Sequence, residues 1–160
     1  MAIIGIGYDL RCDDAAGVLV ARVLRDRLQA VDGSHQLLYL PLVIDAGQAP
    51  ENITGHLRAF KPDLILFVDA ADMGEAPGII RWIAMDEIDG MSASTHRMPL
   101  SMLAAYLGLE LGCDIVLLGI QPASIAIGEG LSNPVRDAVN QIIEELSELL
   151  MLQSVTPVLV

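Results

Sequence analysis

Nine residues, Ala70 to Gly78, separate two apolar runs, and that short distance excludes the usual way of joining neighbouring strands in an α/β sheet. Leu64 to Val68 is apolar throughout and closes on Asp69, so it reads as a central strand covered on both faces. Ile79 to Ala84, I-I-R-W-I-A, reads as the next strand. A parallel crossover takes about a dozen residues or more. The second run is therefore expected to lie antiparallel to the first, in a mixed sheet.

The remaining elements follow from period and punctuation. Ile3 to Ile6 is short enough for a buried strand, with Gly5 and Gly7 at its end. From Asp13 the period becomes helical, with Ala16, Val20, Val23, Leu24 and Leu28 on one side. Asp13 or Asp14 suits the helix N-cap. Leu37 to Ile44 is expected as the second strand, ending at Asp45-Ala46-Gly47, and Asn52 to Phe60 as a helix entered through Pro50 and Glu51. Met98 to Leu111 is predicted helical, with Pro99 in its first turn and Gly112 as its stop. Asp114 to Ile120 is another buried strand, followed by a Gly/Pro/Ser-bearing loop from Gln121 to Ser132. Asn133-Pro134 opens a long helix whose apolar stripe runs from Val135 through Val139, Ile142, Ile143 and Leu146 to Leu149 and Leu150. The tail from Gln153 to Val160 is expected to be loosely held.

The result is β-α-β-α-β-β-α-β-α, a three-layer α/β fold with a mixed five-stranded sheet. A length of 160 residues, with no repeat or linker, implies a single domain over 1–160. Hydrophobic residues make up 53% and aromatics 4%, so the core is aliphatic. Mean hydropathy is +0.52, yet no apolar run approaches the roughly 20 residues of a spanning helix. Membrane insertion is not expected. The start, M-A-I-I-G-I-G, lacks a basic leader, and two cysteines, Cys12 and Cys113, fit neither a disulfide framework nor a paired metal knuckle. A reducing, cytoplasmic setting is expected. The net charge is −12, and Lys61 is the one lysine among nine bases. Nucleic-acid affinity comes largely from basic side chains on phosphates, so that class of partner is excluded.

Ligands of open α/β sheets bind beyond the carboxyl ends of the parallel strands, at the switch in strand order. Three candidate ligands fall in such places: Asp14 just after the first strand, Asp69 at the end of the third, and His96 in a loop leading to a helix. Two carboxylates and an imidazole form an oxygen/nitrogen set suited to a borderline divalent metal. Each residue also has an ordinary role open to it. Asp14 suits a helix cap, Asp69 a turn-amide acceptor, and His96 a structural position beside the capping residues Ser94 and Thr95. His35 and His56 read as structural or surface residues, and Cys12 has no base paired with it in sequence. Gly5 and Gly7 begin a dinucleotide fingerprint, but Leu10 occupies its third glycine position. There is no P-loop, H-E-x-x-H or G-x-S-x-G.

The segments around these residues resemble the maturation endopeptidases of nickel–iron hydrogenases, most closely the branch serving formate-hydrogenlyase-type enzymes. The opening motif of that family, G-x-G-N-x-L followed by D-D/E-x-x-G, is matched by G-I-G-Y-D-L-R-C-D-D-A-A-G, Gly5 to Gly17. Ile44 to Asn52, Val68 to Arg81, Ser94 to Leu100 and Leu118 to Pro122 are similar to that branch in the same order. Tyr8 stands where the family usually has Asn, Asp9 adds a charge, and Ala15 replaces a frequent glycine.

The resemblance implies a sheet of order 2-1-3-5-4 with strand 4 antiparallel. It also implies an activity: endopeptidase removal of a C-terminal peptide from the hydrogenase large-subunit precursor once nickel is inserted. The family's metal-contacting residues correspond to Asp14, Asp69 and His96, which also makes them the catalytic candidates. Nickel then belongs to the substrate, and other divalent metals are expected to substitute for it. The alternative is a non-catalytic nickel-binding or chaperone-like module for the same precursor.

Overall fold

The computed structural model describes residues 1–32, 40–84, 87 and 98–154. Five strands form one sheet: β1 (Ala2–Ile6), β2 (Leu42–Gly47), β3 (Leu64–Ala70), β4 (Ile80–Ala84) and β5 (Asp114–Ile120). Their order is β2-β1-β3-β5-β4. β1 pairs in parallel with β2 and β3, and β3 with β5; β4 alone runs antiparallel, against β5. The link after β3 is too short to carry the chain back across the sheet. It turns instead and descends on the far side of β5.

Among the described residues four α-helices cover the two faces: α1 (Ala16–Asp32), α2 (Thr54–Phe60), α3 (Leu100–Leu111) and α4 (Asn133–Ser154). Because strand side chains alternate between faces, each strand divides its residues between two cores. Ile3, Leu66, Val68 and Leu118 pack with Val20 and Leu24 of α1 and Val139 and Ile142 of α4. Ile4, Ile65, Phe67 and Leu117 pack with Leu57 of α2 and Leu103 and Leu107 of α3. Each fully buried side chain of this size contributes roughly 1.5–3 kcal/mol of transfer free energy.

Several boundaries differ from the pattern in the sequence. The second strand starts at Leu42, where its N–H donates to Met1 O at 3.2 Å, because Pro41 has no N–H to give. Residues 33–39 lie outside the described residues. The strand also continues through Asp45 to Gly47, and the pairing shifts register opposite Gly5 and Ile6. The Asn52–Phe60 helix divides into a 3-10 turn, Pro50–Ile53, and α2. Pro99, at φ −54° and ψ 135°, stands just ahead of α3, and its carbonyl accepts the N–H of Met102 and Leu103. Leu149 is 46% exposed, which takes it out of the buried stripe of α4. That helix runs to Ser154, so the loosely held tail expected from Gln153 begins inside it; residues 155–160 lie outside the described residues.

Candidate metal-docking site

The switch in strand order falls between β1 and β3, since the chain leaves β1 toward β2 and leaves β3 toward β5. Asp14 and Asp69 stand on either side of that switch. Asp14 lies in a 3-10 turn, Cys12–Ala15, between β1 and α1, and is 2% exposed. Asp69 is the penultimate residue of β3 rather than its last, and is fully buried. By alternation it shares a face with Ile65 and Phe67, toward α2 and α3.

The approach of the two segments is set by small residues. A methyl group on Gly17 would lie 2.0 Å from Val68 O and 2.5 Å from Ile6 O, and one on Gly5 would lie 2.1 Å from Gly17 O. The first turn of α1 therefore rests directly on the ends of β1 and β3. Asp14 precedes Gly17 by three residues and Asp69 follows Val68 by one, so both acids lie in segments that border the crevice beyond the β1–β3 switch. His96, with Ser94 and Thr95, lies outside the described residues, as does His35; His56 is exposed on α2. Among the described residues, no group of three or more His, Cys, Asp or Glu side chains is placed to hold a metal. Asp14 and Asp69 are the two described members of the expected set.

Both acids ahead of α1 lie within the 3-10 turn that leads into it. Asp13, fully buried, binds a different segment altogether. Its Oδ2 accepts N–H bonds from Ala123 (2.8 Å) and Ser124 (3.0 Å) and the Ser132 hydroxyl (3.0 Å), while Oδ1 accepts the Ser132 N–H (2.7 Å). The turn-amide role considered for Asp69 belongs in part to Asp72, whose Oδ1 accepts the Gly74 N–H at 3.3 Å. Gln121, 6% exposed, opens the loop after β5. Its amide holds the loop after β3, accepting the Met73 N–H at 2.7 Å and the Glu75 N–H at 3.2 Å. The signal for Asp13 was the adjacency of two acids where a single ligand suffices. For Gln121, composition offered none.

Two other features clarify what surrounds the crevice. The additional charge of Asp9 is taken up by Arg22 of α1, at 2.8 Å, and the same guanidinium reaches Asp45 of β2 at 2.7 Å. Cys12 adopts φ +44°, its N–H donating to Gly128 O at 3.1 Å. Cys113 lies at the opposite end of the sheet, where burial pushes its thiol above the ordinary range and leaves it a poor nucleophile.

Asp13→Ala removes the acceptor for four donors at once. Leaving several buried donors unmatched is expected to lower unfolding free energy by about 3 kcal/mol or more, read from urea melts. A loss below about 1 kcal/mol would show that these bonds are replaced by water.

A parallel core with one antiparallel edge strand, and two buried acids beside its switch point, define the class: a mixed α/β protein. Residues 23–149 match the family model described as HycI, hydrogenase maturation protease. The chain belongs to that family. It is 36% identical over 142 residues to the hydrogenase 3 maturation protease of Escherichia coli, covering 88% of this chain and 85% of the relative. Its fold is similar to the crystal structure of the maturation protease HycI from Thermococcus kodakarensis, with a TM-score of 0.79, 36% identity, and coverage of 94% and 91% of the two chains. The solution structure of the endopeptidase HycI from Escherichia coli gives a TM-score of 0.73 at 34% identity, covering 92% and 88%. Among the described residues no helix is long and apolar enough to cross a membrane.

Proposed function

We propose that this protein is a cytoplasmic processing endopeptidase that removes the C-terminal peptide of a hydrogenase large-subunit precursor after nickel insertion. Nickel is carried in by the precursor and docks against Asp14, Asp69 and His96. The observation that carries this reading is the placement of Asp14 and Asp69, both buried, on the two sides of the β1–β3 switch. Carboxylate oxygens are donors that a divalent cation of this kind accepts. A site of few protein ligands leaves coordination positions for the precursor's own, as a checkpoint on metal loading requires.

Docked nickel acts as a Lewis acid on the neighbouring peptide carbonyl or on the attacking water, or a carboxylate of the pair acts as general base. In each case water adds to the carbonyl carbon, the C–N bond breaks, and the proton from water ends on the leaving amine. Incubating the purified chain with nickel-loaded and nickel-free precursor tests the reading. The loaded precursor is expected to shorten and the nickel-free one to persist. Equal cleavage of both rejects nickel as the signal; a precursor that is bound but never shortened identifies a non-catalytic module.

A further inference from the structure

Both acid-bearing segments are fastened to the same stretch of chain, residues 121–132, between β5 and α4. On the Asp14 side, the Asp13 N–H donates to Ser124 O at 3.1 Å and the Cys12 N–H to Gly128 O at 3.1 Å. The Gly128 N–H returns to Leu10 O at 3.0 Å. The buried Asp13 carboxylate adds its four bonds to Ala123, Ser124 and Ser132. On the Asp69 side, Gln121 exchanges main-chain bonds with the start of β4: its N–H donates to Ile79 O at 2.9 Å, and its carbonyl accepts the Gly78 N–H at 2.8 Å. Its side chain accepts the Met73 and Glu75 N–H groups and donates to Asp72 Oδ1 at 3.2 Å.

We propose that residues 121–132 act as a brace that sets the spacing of Asp14 and Asp69, with Asp13 and Gln121 as the positioning residues at its two ends. The proposal rests on the reading that these two acids dock the client's nickel. The chemistry of both ends is matched to the task. Four donors converge on Asp13, which a carboxylate can accept and a neutral amide cannot. Gln121 must accept two N–H bonds through one oxygen while offering N–H to a carboxylate, and among side chains of that length only an amide does both. Asp69 itself pairs with Gly119, two residues before Gln121. Sites of this kind tolerate about 0.5 Å of error, and a displacement of about 1 Å costs on the order of a hundredfold in rate.

The test uses the full chain carrying Gln121→Met, Gln121→Glu or, as reference, Asp69→Asn. Two measurements are made where near-UV circular dichroism shows each variant folded. Amide hydrogen exchange reports the brace without reference to cleavage. In Gln121→Met, protection is expected to fall not only at Met73 and Glu75, which lose their acceptor, but also at least about fivefold at Cys12 and Asp13, which Gln121 does not touch. A loss confined to Met73 and Glu75 overturns the brace. The second measurement is kcat/KM on nickel-loaded precursor. Gln121→Met is expected to lower it at least about tenfold, and Gln121→Glu to lower it as well, because its carboxylate keeps the acceptor but meets Asp72 Oδ1 without a donor. No loss in either variant overturns the positioning role. If Asp69→Asn is as active as the wild type, the nickel-docking reading fails, while the exchange result still decides the brace.

Discussion

Asp69→Asn is expected to reduce cleavage of nickel-loaded precursor by about 10²–10³-fold, the usual cost of deleting one electrostatic stabiliser from a reaction centre. The carboxylate is fully buried, on a central strand with partners on both sides, so its position is fixed before any client arrives. An asparagine keeps the shape and removes the charge. In a buried setting the charge is what attracts a cation, because Coulomb interactions strengthen as water is excluded. Asp14→Asn is expected to act in the same direction, since Asp14 is buried across the switch point from Asp69. The measurement is the rate at which precursor shortens on a denaturing gel, with far-UV circular dichroism confirming the fold. Activity within about twofold of the wild type in both variants would remove these acids from any role in metal docking.

The second large effect is on folding. Gly17→Ala places a methyl group 2.0 Å from Val68 O and 2.5 Å from Ile6 O, against backbone atoms that cannot rotate away. Relief requires α1 to lift from the ends of β1 and β3. That separates Ala16 and Val20 from the core on this face of the sheet. The expected cost is about 3 kcal/mol or more, at the upper end of overpacking effects. For a chain of this size that corresponds to a fall in Tm of roughly 6–12 °C. Gly55→Ala is the matched control. It lies in α2 with nothing within 4 Å of the added methyl, and should stabilise by about 0.5–1 kcal/mol through helix propensity. Calorimetric melts of the two variants moving in opposite directions would bear out the packing account. A Gly17→Ala melt unchanged within about 2 °C would refute it.

Much of this architecture was legible along the chain. The antiparallel fourth strand followed from a nine-residue link, and the central position of β3 from an unbroken apolar run ending at Asp69. Errors gathered at edges, where sequence signals are ambiguous. Asp45-Ala46-Gly47 looks like a turn yet extends β2, because an edge strand with a register shift tolerates both a polar side chain and a glycine. Leu149 fits the helical stripe of α4 by period alone, but Leu150 takes the buried place at this turn and leaves Leu149 at the edge of the stripe.

The order of apolar runs, their lengths and the residues that punctuate them determined the layers, the mixed sheet and the placing of Asp14 after the first strand and Asp69 near the end of the third. Those properties are local: periodicity and chain length dictate them before any distant contact forms. Only the tertiary structure decided that Asp13 binds the 121–132 segment, that Gln121 holds the loop after β3, and that α1 touches backbone at Val68 through a bare glycine. Such pairings join residues about fifty to more than a hundred positions apart. A hydrogen bond across that distance leaves no period in the sequence, because the fold alone sets which donors an acceptor meets.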